Sequence, residues 1–411
     1  MTTAKTPYIH TRSEDPDFVD LDWANPISSW TTDRLVEMPE GIHRHEVVFV
    51  AYREGIYVIK ELPRGLAEHE YDILREMEEV TRHTARAAGH VDRPWVASDR
   101  EWSSAVITRY VSHAFPYRDL LSGIGFGGRR DALLDAFAGL LVELHLAGLY
   151  WGDCSLSNIL YRWDASSIEA VMIDAETSRI HEVLSYGQRM EDLAIMEMNV
   201  AGEMADIASE RGADLDEADL FLGQDISSRY HSLWKELTTS LVVTAGDHFR
   251  IRQRIDRLHG LGFAVEDIEL IPVDNGTNVK MRVKVGGRQY HSERLRQMTG
   301  IDISENQARV ILSDLTYHEA KFGRSSATGK AVAAMQWRAT VFEPLILRIS
   351  ELLPGRDPYQ AYTDYLVFRL EMATERERDV PNDEAFAAWE KEGFPHLKSV
   401  VDDAPARTRR A

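Results

Sequence analysis

Asp153 and Asn158 stand five positions apart in "WGDCSLSNIL", just after an apolar helix pattern and just before an apolar run. A carboxylate and a carboxamide so placed suit phosphoryl transfer from ATP, which asks few parts of a protein because most of the catalysis is positioning and charge neutralisation. One carboxylate takes the proton of the attacking hydroxyl; a carboxamide and a second carboxylate hold Mg2+, which favours oxygen ligands. A lysine holds the phosphates, and a glutamate on a helix holds the lysine. Asp153 fits the base and Asn158 a metal ligand. Asp174, in "VMIDAE", fits the second metal ligand, and Lys60, ending "YVIK", the phosphate anchor. Glu70 is the preferred partner of Lys60, because it lies one turn before Ile73 and Leu74 on the packed side of its helix. Glu68 and Glu76 compete for that role. Lys60 and Glu70 are grouped with Asp153 as catalytic, and Lys60, Arg109 and Tyr110 are the expected nucleotide contacts.

Each part also has a plainer reading. Turns favour Asp, Ser and Asn for local backbone hydrogen bonds, and a lysine closing a strand is usually solvated. D-x-x-x-x-N alone is common by chance. What carries the reading is the conjunction of five parts in the order a kinase fold uses them. Some neighbours are open: Glu176 is either a further metal ligand or a surface residue, and Cys154 reads as a small buried thiol. "GRSSATGKA" imitates a P-loop, but Gly323 to Gly329 is one residue too long and Ala331 follows Lys330, so it reads as a loop.

Those parts need elements to position them. Val47 to Tyr52 and Ile56 to Ile59 form a hairpin pattern, and "LAEHEYDILREMEEVTRHTARAAG" a helix with Gly89 as its stop. "PWVAS" and "SSAVITRYV" read as strands. A long helix over "RRDALLDAFAGLLVELHLAGL" follows, then strands "NILYRW" and "EAVMIDAE", then a helix from about Gln188. A second region starts near residue 225, with several helices and the strands "IELIPV" and "VKMRVKV" around a turn at Asp274-Asn275-Gly276. The expected class is α+β. Residues 1–37 form a polar, partly disordered lead, and 38–215 a two-lobed domain divided into 38–110 and 111–215. A mostly helical C-terminal domain with a small β hairpin spans 225–392, and 393–411 is a tail.

Composition sets outer bounds. The 411 residues are 44% hydrophobic and 28% charged, ordinary for a globular chain with real cores. A net charge of −20 argues against nucleic acid as a partner. One cysteine excludes an intrachain disulfide. No apolar run approaches the roughly 18 to 20 residues of a membrane span, and the expected location is the cytoplasm.

"GIHRHEVVFV", "YVIKELP", "AEHEYDILREM", "LHLAGLYWGDCSLSNILYR", "IDAETSRI" and "TGIDISENQARVILSDL" together resemble an actinobacterial family that pairs a lipopolysaccharide-kinase-like domain with a C-terminal domain of unknown function. The resemblance covers most of residues 38–390. It implies a bilobal protein-kinase-like fold but no particular substrate; the residue set points to ATP and Mg2+ as cofactors, and the expected acceptor is a small hydroxylated molecule, a sugar or glycoconjugate. No A-P-E activation segment follows Asp174, which favours a small molecule over a protein acceptor. Three departures matter: Trp151 stands where the catalytic-loop motif has His, Asp174 of "IDAE" lacks the following Gly, and G-x-G-x-x-G is missing, with only Gly41, His43, Arg44 and His45 in its place. The missing glycines keep a second reading open, a nucleotide-binding pseudokinase or scaffold acting through its C-terminal domain on an unknown protein partner. Oligomeric state is not legible.

Overall fold

The computed structural model describes residues 5–38, 44–120, 130–212, 217–244, 247–273, 278–321 and 327–396. The chain divides into two units: 1–125, 134–161 and 170–233 form the first, and 126–133, 162–169 and 234–411 the second.

The first unit opens with an antiparallel sheet in the order β1-β4-β5-β3-β2. Its strands are β1 (Tyr8–Thr11), β2 (Val47–Tyr52), β3 (Gly55–Leu62), β4 (Ala87–Asp92) and β5 (Ser104–Arg109), with α1 (Leu66–Met77) between β3 and β4. Alternation gives the sheet two different faces. Tyr57, Ile59, Ala105 and Ile107 lie on one, packed with Phe18, Trp23, Ile27 and Trp30. Lys60, across from Val106 in the β3–β5 register, lies on the other. The N-terminal stretch expected as a partly disordered lead is therefore corrected: it supplies β1 and a cluster of buried aromatics that covers the sheet. Trp23 Nε1 donates to the Phe18 carbonyl at 2.7 Å, and its ring meets Trp30 edge-on at 5.0 Å. Their burial explains why so polar a segment is ordered.

α1 buries Ala67, Glu70, Tyr71, Ile73, Leu74 and Met77 on one stripe. It ends at Met77, not near Gly89 as its helical pattern suggested. Gly89 lies inside β4, where a Cβ would come within 2.3 Å of the His10 carbonyl of β1. β4 reads "AAGHVD", poor in strand-forming residues, and only its place between β1 and β5 makes it a strand. "PWVAS" forms no strand.

The rest of this part of the chain comprises β6 (Ala114–Pro116), α2 (Tyr117–Leu120), α3 (Arg130–Leu146), β7 (Leu149–Tyr150), β8 (Ile159–Asp164), β9 (Ser167–Met172), β10 (Arg179–Ile180), α4 (Tyr186–Glu210), α5 (Glu217–Leu220) and α6 (Leu222–Thr238). β7 pairs with β10, and β8 lies between β6 and β9. α4 starts at a capping box in which Ser185 and Gln188 satisfy each other's backbone N–H. It runs 25 residues with Asp192, Leu193, Met196, Val200, Met204 and Ile207 buried.

The second unit contains β11 (Leu241–Thr244), α7 (His248–Gly260), β12 (Val265–Val273), β13 (Asn278–Val285), α8 (Tyr290–Thr299), α9 (Glu305–Lys321), α10 (Ala327–Trp337), α11 (Glu343–Leu352), α12 (Pro358–Glu375) and α13 (Asn382–Lys391). The expected hairpin of β12 and β13 carries a third strand, β11, in the order β11-β13-β12. Its expected turn at 274–276 lies outside the described residues. Trp337, Phe342, Tyr362, Tyr365, Phe386 and Trp389 are central to the helical core. The P-loop look-alike is helical in its second half, since α10 begins at Ala327 and includes Lys330 and Ala331; Gly323 lies outside the described residues. "SENQ" in "DISENQAR" acquires a structural reason. Ser304 donates to Glu169; Glu305 accepts from the backbone N–H of His291 and Ser292; Asn306 and Gln307 donate to Asp164. The α+β class, with a sheet-rich first half and a mostly helical second, is the one the chain adopts.

Candidate active site

β3 and α1 bring Lys60 and Glu70 together. Lys60 Nζ lies 2.7 Å from Glu70 Oε2, 3.0 Å from Asp174 Oδ2 and 3.7 Å from Glu176 Oε2. Glu70 is the glutamate that pairs with Lys60, because the turn before Ile73 and Leu74 is buried against the sheet. Burial pushes the Glu70 carboxyl up to about 7 even though Lys60 pulls it down. Burial works against the ammonium too, but Glu70, Asp174 and Glu176 outweigh it and hold Lys60 above its usual range. Three carboxylates around one ammonium leave an excess of negative charge.

Asp153 and Asn158 hang from the loop between β7 and β8. Asn158 Nδ2 donates to the Asp153 carbonyl at 2.9 Å, which leaves its Oδ1 as an oxygen donor. Ile173 N donates to the Asn158 carbonyl at 3.0 Å, tying the loop to the stretch that carries Asp174. Asp174 follows the end of β9 by two residues rather than closing it. Trp151, in the place of the usual His, donates its indole Nε1 to the Asp174 carbonyl at 2.9 Å.

Lys60, Asp153, Asn158 and Asp174 line one cavity of about 380 Å3, together with Arg44, His45, Glu176 and residues of α4. Oxygen atoms of Glu70, Asp174 and Glu176 lie within 4.8 Å of one another. That donor set, all hard oxygen, fits Mg2+ better than a softer metal, and a divalent cation would offset the surplus charge. His45 bridges Glu176 at 3.1 Å and Glu101 at 2.8 Å. The Glu176 hydrogen bond raises its pKa, against burial. Gly41 and His43 lie outside the described residues.

Arg109 is not brought to this cavity. It pairs with Tyr57 in the β3–β5 register, so alternation turns it to the face opposite Lys60. There Asp15 accepts two hydrogen bonds from its guanidinium, at 2.8 and 2.6 Å. Tyr110, just past β5, rests edge-on against Phe49 at 5.9 Å and is not among the residues lining the cavity. Glu68 and Glu76 do not line it either.

Three residues of α4 were not anticipated. Asp192 is fully buried and accepts from the backbone N–H of Trp151 at 2.7 Å and Gly152 at 2.8 Å. Asn199 Nδ2 donates to Asp153 Oδ1 at 2.9 Å and to the Cys154 carbonyl at 3.1 Å. Glu203 accepts from the backbone N–H of Leu156 at 2.9 Å and Ser157 at 2.8 Å. The loop between β7 and β8 thus hangs on three side chains of one helix. Their signal in the sequence was faint: polar residues at positions 192, 199 and 203, spaced to recur along one side of an amphipathic helix. Cys154 is fully buried, and burial raises its thiol well above the usual range, consistent with a space-filling role.

No curated protein matches the chain. A solved structure, "WaaP in complex with acyl carrier protein", is similar at 18% identity over 48% of this chain and 88% of that one, with a TM-score of 0.31, a likeness too slight to argue from. No described helix is long and apolar enough to cross a membrane. Residues 43–216 match the lipopolysaccharide kinase (Kdo/WaaP) family and residues 232–393 a domain of unknown function, DUF4032, so the chain pairs a segment similar to that kinase family with one similar to DUF4032.

Proposed function

We propose that the protein is an ATP- and Mg2+-dependent phosphotransferase acting on a small hydroxylated acceptor, a sugar or glycoconjugate. The observation that carries this reading is the Lys60–Glu70 pair, at 2.7 Å, reaching a cavity that Asp153, Asn158 and Asp174 also line. In the reaction, the acceptor oxygen attacks the γ-phosphorus, the bond from that phosphorus to the ADP oxygen breaks, and a new P–O bond forms. Asp153 takes the proton of the acceptor hydroxyl, and Asn199 holds its carboxylate in place. Lys60, fixed by Glu70, neutralises phosphate charge. Asn158 and Asp174 would hold Mg2+, which when bound would supply the remaining neutralisation of the phosphates. A cytoplasmic location, where ATP is supplied, is part of this reading.

The test is thermal stability with ATP and Mg2+ for wild type, Asp174→Asn and Asp153→Ala. A ligand bound to the native state stabilises it by about 2.7 kcal/mol at roughly a hundredfold excess over Kd. Wild type should show a Mg2+-dependent rise that Asp174→Asn loses. Asp153→Ala should keep the rise but transfer no phosphate. If wild type shows no Mg2+-dependent rise, the reading fails and the chain is a kinase-shaped scaffold.

A further inference from the structure

The cavity has two walls of different chemistry. Arg44, His45 and Lys60 lie on the side expected to meet phosphates; Met198, Asn199, Gly202, Glu203 and Asp206 line it from α4. Those α4 positions recur at one helical turn, so they form a continuous strip. Gly202 is the odd member. A glycine inside a helix is about 1 kcal/mol worse than alanine, so a packing reason is the first thing to seek. Gly223 of α6 has one, since a Cβ there would sit 2.7 Å from Glu197 Cα. A Cβ at Gly202 would meet nothing within 4 Å, and the backbone there needs no left-handed angle. Neither packing nor backbone geometry demands a glycine. What its missing side chain preserves is open space in the cavity that Asp153 lines.

We propose that Gly202 sets acceptor specificity, leaving room for a sugar-sized ring to lie along the α4 strip with one hydroxyl at Asp153. The strip also selects chemistry. It offers the oxygens of Glu203 and the exposed Asp206, an exposed Met198 for a C–H face, and no Lys or Arg of its own, the cavity's Arg44 and Lys60 lying on the other wall. Hydroxyl and ammonium donors suit it, and a carboxylated ring is repelled. The acceptor is therefore a neutral or amino sugar rather than a sugar acid. This rests on the phosphotransferase reading above.

The experiment uses the full chain with ATP and Mg2+, and glucose, glucosamine and glucuronate as probes, comparing wild type with Gly202→Ala and Gly202→Leu. Wild type should phosphorylate glucose or glucosamine and discriminate against glucuronate. Gly202→Leu should raise the KM for the sugar on the order of tenfold or more, by filling the space, while KM for ATP and the ATP–Mg2+ midpoint rise stay as in wild type. Gly202→Ala should melt higher than wild type, as a helix-interior glycine replacement does. Sugar kinetics unchanged in Gly202→Leu, glucuronate as the best acceptor, or no transfer to any of the three despite an intact ATP–Mg2+ rise would each overturn the inference. An absent rise in wild type would instead overturn the parent reading, and this one with it.

Discussion

Asn199 Nδ2 lies 2.9 Å from Asp153 Oδ1, from a helix that begins only at Tyr186. The same nitrogen reaches the Cys154 carbonyl, so one amide fixes both the side chain and the backbone at the proposed base. Asn199 acts through Asp153 and is a positioning residue. Asn199→Ala should fold, because its side chain lines a cavity rather than filling a core. It should lower kcat on the order of tenfold to a hundredfold, since small misplacements of a reacting group cost about that much. KM for ATP should not move. A kcat equal to wild type would show that Asp153 needs no such support.

His145 gives the stability of the fold a pH dependence that does not involve the proposed reacting groups. Its ring is buried, with Nε2 3.2 Å from Asp192 and Nδ1 2.8 Å from the Tyr230 hydroxyl. Burial lowers its pKa, and the Asp192 hydrogen bond only partly offsets this. The sign follows directly. As pH falls through about 6.5, the unfolded chain gains a proton that the folded chain refuses, so stability falls with falling pH at up to about 1.4 kcal/mol per unit. The loss stops once folded His145 itself protonates. Thermal midpoints of wild type and His145→Gln between pH 5 and 8 should therefore converge on the acid side, with wild type losing more than the variant. A constant gap between them would contradict a neutral buried His145.

That Lys60, Asp153, Asn158 and Asp174 line one cavity, with Glu70 against Lys60, could be anticipated because each is a strongly typed residue on or beside a patterned element. Lys60 lies near the end of a strand whose alternation shows in the sequence, and Glu70 lies on a helix whose packed stripe is readable, so their meeting at 2.7 Å was accessible. Arg109 was misplaced because residue type gave no face; only the register opposite Tyr57 turns it toward Asp15. Trp151 looked like a departure, yet its indole still fastens the loop between β7 and β8 to the Asp174 backbone, a role that only contact geometry discloses. β4 and the Phe18–Trp30 segment were missed for one reason. Neither has local propensity for its place, and tertiary packing alone orders them.

In the second unit, Asp164 is the residue on which the start of α9 depends. It is 1% exposed. Its Oδ2 accepts from the Asn306 backbone and side chain, both at 2.9 Å, and Oδ1 from the Gln307 backbone at 2.7 Å. Burial first, then the charge of Glu169, push its carboxyl up to about 6, while those backbone donors pull the other way. Helix N-termini favour an anion, and their first N–H groups have no partner within the helix. Asp164→Ala would leave the N–H groups of Asn306 and Gln307 buried and unpaired, at a cost of about 2 to 4 kcal/mol. Asp164→Asn keeps one acceptor oxygen but sets an amide donor against another donor, and should fall between alanine and wild type. Urea unfolding followed by tryptophan fluorescence reads this through Trp337 and Trp389, both fully buried. An unchanged urea midpoint in Asp164→Ala would mean that water replaces the carboxylate at no cost, and that the capping contact contributes nothing to the stability of α9.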